Sequence, residues 1–207
     1  MSRLRKAAAL AFATHLTAGL CMVIVLRHGL EPAGLQDRLV FLVNHRWLWT
    51  IAWLTWTAAA PAILYFYMVF AEAHGPLARF AVFLTVAALA PDLSAQAIEI
   101  GVLPQLAAQV AGAHDVPQFL TLHRVAIVLS GYLANSLYSA TALLLTWTAR
   151  RSYPVWITGC GVAVGVSGMG LSVAVILDSA MGMVWANALL VPAILLWLAA
   201  VALVSGD

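Results

Sequence analysis

The sequence predicts an all-α polytopic membrane protein, a bundle of six transmembrane helices with a short interfacial amphipathic helix between the first two spans. Of the 207 residues, 64% are hydrophobic and 9% are charged, whereas soluble domains carry roughly 25% charged residues. Six stretches reach the length of about 20 apolar residues that a helix needs to cross the hydrocarbon core. They lie at about 7–26, 47–70, 77–103, 120–149, 154–177 and 181–204, and together they predict one integral membrane domain over 1–207.

The first span follows a basic start, formed by Arg3, Arg5 and Lys6. A cleaved signal peptide is the competing interpretation, but its apolar region usually spans about 7–15 residues. The longer apolar run therefore favours a retained helix. The second span carries aromatic residues at both ends, which is typical of the two interfacial belts of a membrane helix.

A short amphipathic helix is predicted in the connection between these two spans. Three leucines recur there at helical spacing, opposite two charged residues, as in a helix that lies on a membrane surface. The leucines are Leu35, Leu39 and Leu42, and the charged residues are Asp37 and Arg38. The stretch 104–118 is too polar for lipid, so we expect it to be a loop on the same side. The two connections could form a lid.

Basic residues in the loops predict that both termini face the cytoplasm. With the N-terminus inside, the inner side holds six Lys and Arg residues and the outer side holds four, which agrees with the positive-inside rule. Six spans then return the C-terminus to the cytoplasm. The chain shows no organelle signal, and we expect it in the cell (plasma) membrane.

Polar side chains follow one face of the third span. Asp92, Gln96 and Glu99 stand at i, i+4 and i+7, a spacing that places them on the same side of a helix. An ionisable group in the bilayer needs a partner, a water-filled cavity or a function. At about 1.5 Å per residue, Asp92 falls near the midplane and Glu99 near the outer boundary.

The remaining spans place further polar groups in the outer half of the membrane. These are His123, Arg124, Asn135 and Tyr138 in the fourth span, Asp178 at the end of the fifth and Asn187 in the sixth. Asn135 falls near the depth of Asp92, so a hydrogen bond or a shared water between the two is expected.

This distribution predicts a polar cavity that opens to the outer side. Asp92 and Asn135 would form its floor, and the charged residues and His123 would surround its mouth. The alternative is that Glu99, Arg124 and Asp178 are interfacial residues, two of them in a structural ion pair, and that Asp92 caps a helix broken at Pro91.

Small residues form a stripe along the fifth span, at Gly161, Gly165, Gly168 and Ser172. Such a stripe allows two helices to approach closely. Packing within the bundle is favoured over packing against a protein partner or a second copy.

Several function classes are disfavoured by the sequence. A net charge of +2 is too small to predict a nucleic-acid partner. No pair of histidines has the spacing of a metal site, and His15 and His123 lie at depths that do not suit one haem. There is no serine-hydrolase motif, and Cys21 and Cys160 lie too far apart in depth for redox chemistry. No cofactor is specified.

Two function classes remain. As an enzyme, the protein would bind a hydrophobic small molecule, such as a membrane lipid or an isoprenoid, with Asp92 as a neutral acid, Glu99 or His123 as base or relay, and Arg124 on an anionic headgroup. The other ligand-binding candidates are Gln96, Asn135, Tyr138, Asp178 and Asn187. The alternative is a non-catalytic accessory or scaffold subunit of a membrane complex, or a small proton-coupled carrier. A pocket beside Asp92 would favour the enzyme, and a space filled by side chains would favour the scaffold.

Overall fold

The computed structural model describes residues 2–30, 33–110 and 116–205. This part of the chain is helical and contains no strand. Six helices are long and apolar enough to cross a membrane, which confirms the predicted number of spans. In chain order they are Arg3–His28, Arg46–Glu72, Gly75–Val110, Val116–Ala149, Val155–Ile176 and Ala180–Val204.

Nine α-helices make up the described ranges, together with one 3-10 turn and two π-helical segments. The α-helices are α1 (Arg3–Ile24), α2 (Leu35–Asn44), α3 (Arg46–Glu72), α4 (Gly75–Ala97), α5 (Leu103–Val110), α6 (Val116–Ile127), α7 (Asn135–Ala149), α8 (Val155–Ile176) and α9 (Ala180–Val204). The 3-10 turn is Leu26–His28, the first π segment is Ile98–Val102 and the second is Val128–Ala134. Each π segment lies inside a span, so the third and fourth spans are each built from two α-helices joined by a wider turn.

The six spans form a closed ring. Each span packs against the next one in the chain, and α9 packs against α1 to complete the circle. Aromatic side chains from α3 and α9 fill the ring at one end, where Trp197 lies 5.6 Å from Phe66 and 5.8 Å from Phe70 between ring centroids. Offset and edge-to-face aromatic contacts at these distances add to the packing energy of the core.

Both chain ends lie at this same end of the bundle. The Ser2 hydroxyl donates to the Ser205 carbonyl at 2.5 Å. Beside it, Arg3 donates to both carboxylate oxygens of Glu72, at 3.0 and 3.1 Å. We call this the terminal end, and the opposite end, which carries α2, the α2 end.

The small-residue stripe of α8 packs against helices of the same chain. A Cβ atom on Gly165 would overlap the side chain of Leu143, and one on Gly168 would overlap Ser139, both in α7. At Gly161 the neighbours are Thr146 and Trp197. The close approach of α7 and α8 therefore depends on glycine at these positions, and packing within the bundle, the favoured interpretation of the stripe, is what the structure has.

The predicted short helix is present as α2, but one of its faces was assigned wrongly. Leu39 and Leu42 are buried, as expected. Arg38 is also buried, at 3% exposure, although the leucine pattern placed it on the polar face. The residue follows Leu35 at i+3 and precedes Leu42 at i+4, so it belongs to the same helical stripe as the leucines.

The prediction of a loop over 104–118 is wrong for the residues that the structure describes. The chain continues as α5 to Val110 and becomes helical again at Val116. Pro104 is the second residue of α5 and lies two positions after the first π segment, where the α-helical hydrogen-bond pattern is already interrupted and a residue without a backbone N–H is tolerated. Residues 111–115 lie outside the described ranges.

The break at Pro91 that the alternative interpretation requires is absent from α4. Helix α4 runs through Pro91 without interruption. Asp92 is therefore an interior residue of this helix, and the alternative in which it caps a broken helix is excluded.

Candidate functional site

Polar residues of the third and fourth spans contact each other in two places, and a π segment contributes to each of them. Glu99 lies in the first π segment and Ser130 in the second. The second segment packs against α4. An inserted π turn redirects the side chains around it, and such turns occur frequently at functional sites. The sequence pattern shows neither π segment. The depths predicted from it, at about 1.5 Å per residue, apply to a straight α-helix.

Asp92 accepts hydrogen bonds from two hydroxyl groups of the fourth span. Ser130 donates at 3.3 Å to Oδ1, and Tyr138 donates at 3.1 Å to Oδ2. One turn along the same face, Thr57 of α3 donates at 2.6 Å to the side-chain oxygen of Gln96. The Asp92 carboxyl group is half-buried, and it forms no ion pair within the described ranges.

The expected contact between Asp92 and Asn135 is wrong. Asn135 turns toward α8 instead, where its amide donates at 2.5 Å to the Gly168 carbonyl and at 3.1 Å to the Ser172 hydroxyl. Asn135 comes directly after the second π segment, which rotates the helix beyond it relative to a straight α-helix. The residue therefore joins α7 to α8.

A second polar cluster, formed by Arg38, His123 and Glu99, lies at the α2 end. The three side chains come from α2, α6 and the first π segment, and the residues are 3%, 1% and 2% exposed. Arg38 Nη2 lies 2.6 Å from His123 Nδ1, and His123 Nε2 lies 3.7 Å from Glu99 Oε1. We call these three residues the Arg38 cluster.

Apolar side chains and backbone groups enclose the Arg38 cluster. The Phe119 and His123 rings are stacked, with 6.2 Å between their centroids and 14° between their planes. The Arg38 guanidinium lies 5.6 Å from the centre of the Phe119 ring. Arg38 Nε donates to the Gly29 carbonyl at 3.1 Å, and the Trp49 indole donates to the Glu99 carbonyl at 2.7 Å. Glu99 Oε2 is buried and has no hydrogen-bond partner among the residues that the structure describes.

Arg124 and Asp178 form an ion pair of 2.6 Å near the end of α8. Arg124 also donates at 2.6 Å to the Val175 carbonyl. Asp178 has a φ of 52°, in the left-handed region, and follows α8 at the position where glycine is usual. These two residues therefore form the structural ion pair of the alternative interpretation, while Asn187 donates to the Met183 carbonyl of its own helix at 3.0 Å.

Open space at the α2 end lies apart from the polar residues. A groove of about 370 Å³ is lined by His28, Ala33, Asp37, Val40, Phe41 and His45. At the terminal end, a void of about 10 Å³ lies beside Trp197 and Tyr153. Neither of these two spaces borders Asp92 or Glu99, so neither is the predicted polar cavity or the pocket beside Asp92 that would favour an enzyme.

Sequence reasoning missed Arg38 as a site residue, although its position in the leucine stripe was the available signal. In the part of the chain that the structure describes, no three His, Cys, Asp or Glu residues are arranged to hold a metal ion. No family model, curated protein or solved structure matches this chain.

Proposed function

We propose that this chain is an integral protein of the cell membrane that binds a small hydrophobic or amphiphilic molecule, such as a lipid or an isoprenoid. The polar end of that molecule would meet Asp92 between the third and fourth spans. The proposal depends on one observation above all, which is that this carboxyl group within a membrane span contacts neutral groups, the hydroxyls of Ser130 and Tyr138 and the Gln96 side chain, and forms no ion pair in the described ranges.

The cost of burying an acid makes this observation informative. An ionisable side chain inside the bilayer costs at least about 2.5 kcal/mol unless it is compensated. Glu99 lies close to the Arg38 guanidinium, which attracts its negative charge. The carboxyl group of Asp92 has no such partner among the described residues, yet it remains half-buried and open to contact. A polar group on a bound molecule would complete its hydrogen bonds.

The surroundings of Asp92 support contact with a membrane-soluble molecule. Ser130 lies in a π segment, and Tyr138 presents an aromatic ring as well as a hydroxyl group. A carboxylic acid in such a setting can also donate a proton to a bound molecule, which is the chemistry that an enzymatic role would use.

We further propose that the α2 end faces the outside of the cell and both termini face the cytoplasm. The distribution of basic residues in the loops supports this orientation. A variant without Cys21 and Cys160 permits a direct test, in which a single cysteine replaces the exposed Gln118 and another replaces the exposed Ser152. A membrane-impermeant thiol reagent should label the first from outside only and the second only after the cells are opened. Glu31, another suitable position, lies outside the described residues.

Native mass spectrometry of protein extracted with little delipidation tests the proposed ligand. We expect a stoichiometric lipid, isoprenoid or pigment on the wild-type protein and its loss from Asp92→Asn. The matched control is Asp37→Asn, which makes the same chemical change at an exposed carboxyl group. Both variants should fold with yields within about twofold of the wild type.

The opposite outcomes are equally specific. A wild-type protein that carries a partner polypeptide and no small molecule would favour the scaffold alternative. Retention of the molecule by Asp92→Asn would remove Asp92 from the site. Loss of both the molecule and the folded protein in Asp92→Asn alone would assign this residue a structural role.

A further inference from the structure

The Arg38 cluster restricts the protonation state of His123. A guanidinium group has only donors and remains charged in proteins, so it cannot accept a hydrogen bond. Arg38 Nη2 lies 2.6 Å from His123 Nδ1 and 3.5 Å from Nε2, and the much shorter contact makes Nδ1 the nitrogen that accepts through its lone pair. This excludes the doubly protonated ring and places the single ring proton on Nε2, the atom that faces Glu99 at 3.7 Å.

Two other histidines have the opposite arrangement. His15 Nδ1 lies 2.8 Å from the Ala11 carbonyl, and His74 Nδ1 lies 2.6 Å from the Phe70 carbonyl. A carbonyl oxygen only accepts, so Nδ1 carries a proton in both rings. His123 thus differs from these two residues because its neighbour is a donor.

The arrangement separates the roles of the two titratable groups. Because Arg38 occupies Nδ1, His123 cannot take up a proton there and cannot relay one. Glu99 has one oxygen directed at His123 Nε2 and a second, Oε2, that is buried without a hydrogen-bond partner in the described part of the chain. A buried carboxylate oxygen requires a donor.

We infer that Arg38 is a positioning residue, which from α2 holds His123 as a neutral ring with its Nε2–H toward Glu99. Arg38 thereby determines which nitrogen of the buried His123 ring carries the proton.

The helix α2 is consequently part of the site. Without Arg38, the His123 ring is free to carry its proton on Nδ1 and to present an unprotonated Nε2 to Glu99. The sequence-based expectation in which His123 is the base or relay would then apply.

Nitrogen-15 NMR of histidine-labelled protein in bicelles tests the inference without any ligand. Signals are assigned by their loss in His123→Gln and His15→Gln. In the wild type we expect His123 to have an unprotonated Nδ1 and a protonated Nε2, unchanged from about pH 5 to about pH 8. His15 serves as the buried internal control and should show the reverse tautomer.

Variants of Arg38 give the second measurement. Arg38→Lys keeps a charged donor and should preserve the wild-type spectrum. Arg38→Met leaves Nδ1 without its donor and should allow both tautomers of the neutral ring to appear. Asp37→Asn, one position away and exposed, should change nothing. A protonated Nδ1 or a titrating His123 in the wild type would overturn the inference. An Arg38→Met spectrum identical to the wild-type spectrum would also overturn it. The wild-type measurement decides even if Arg38→Met does not fold.

The spectra also distinguish this inference from the proposed function. A wild-type His123 with the expected tautomer would support the positioning role of Arg38. If the same protein held no small molecule, the proposed function would be refuted. A ligand lost on Asp92→Asn, together with a titrating His123, would support the proposed function and refute the role of Arg38.

Discussion

Replacing Arg38 by methionine should destabilise the protein strongly, because it removes one partner of a buried set of charges. Methionine keeps the length of the aliphatic stem of arginine and removes the guanidinium together with its contact over the Phe119 ring. The substitution also leaves the Gly29 carbonyl and His123 Nδ1 without their donor.

The expected loss is about 3–5 kcal/mol, because two buried hydrogen bonds from a charged donor disappear, those to the Gly29 carbonyl and to His123 Nδ1, each worth about 1.5–3 kcal/mol. Burial decides this magnitude, since all three residues of the Arg38 cluster are at most 3% exposed. The Arg3–Glu72 pair at the terminal end provides the contrast, with side chains 61% and 55% exposed. Solvent screens such a pair, and Arg3→Met should have a much smaller effect.

Unfolding curves in mixed micelles, followed by tryptophan fluorescence, provide the assay. The explanation would be refuted if Arg38→Met were no more destabilising than Arg3→Met.

Three further predictions concern the α8 helix and the loops beside it. Gly165→Ala should lower the free energy of unfolding by about 1–3 kcal/mol, because the new methyl group overlaps an α7 side chain. Gly170→Ala is the control and should not lower it, because a Cβ atom there meets no described atom within 4 Å. Asp178→Ala should be about 1–2 kcal/mol less stable than Asp178→Gly, because both variants lose the pair with Arg124 and only alanine is strained at a φ of 52°. Burial raises the pKa of Tyr153, which lies in the loop before α8. The free energy of unfolding should therefore be constant below about pH 10, the pKa of an unperturbed tyrosine, and should fall as the pH rises further.

Each of these predictions is checked by the same unfolding assay. Equal stabilities of Gly165→Ala and Gly170→Ala would contradict the close approach of α7 and α8. Equal stabilities of the two Asp178 variants would contradict a backbone cost at that position. For Tyr153, the comparison is with Tyr153→Phe, and parallel curves of stability against pH for the two proteins would contradict the prediction.

The fold class could be predicted because it depends on composition and on the local order of residues. A run of about 20 apolar residues has one stable solution in lipid, a helix that satisfies its own backbone groups. The predicted stretch of 154–177 accordingly corresponds to Val155–Ile176 in the structure, and 181–204 to Ala180–Val204. The short helix α2 also follows from its local leucine spacing.

The candidate site was predicted less completely, because it depends on directions around each helix. The stripe of Asp92, Gln96 and Glu99 was identified correctly as one face, but their partners come from other elements. Asn135 was assigned the right span and the wrong neighbour. Counting residues gives a depth along a straight helix, and the π segments change the direction of the side chains without changing the composition.

The sequence by itself determined that this chain forms six apolar helices with costly polar groups concentrated in the third and fourth spans. Only the tertiary structure decided which of those groups is compensated. Compensation requires α2 to bring Arg38 against His123, which is 85 residues away in the chain, and beside Glu99. The physical reason is range. Hydrophobicity and helical periodicity act between neighbours in the sequence, whereas a buried charge is compensated by whatever lies within a few ångströms in space.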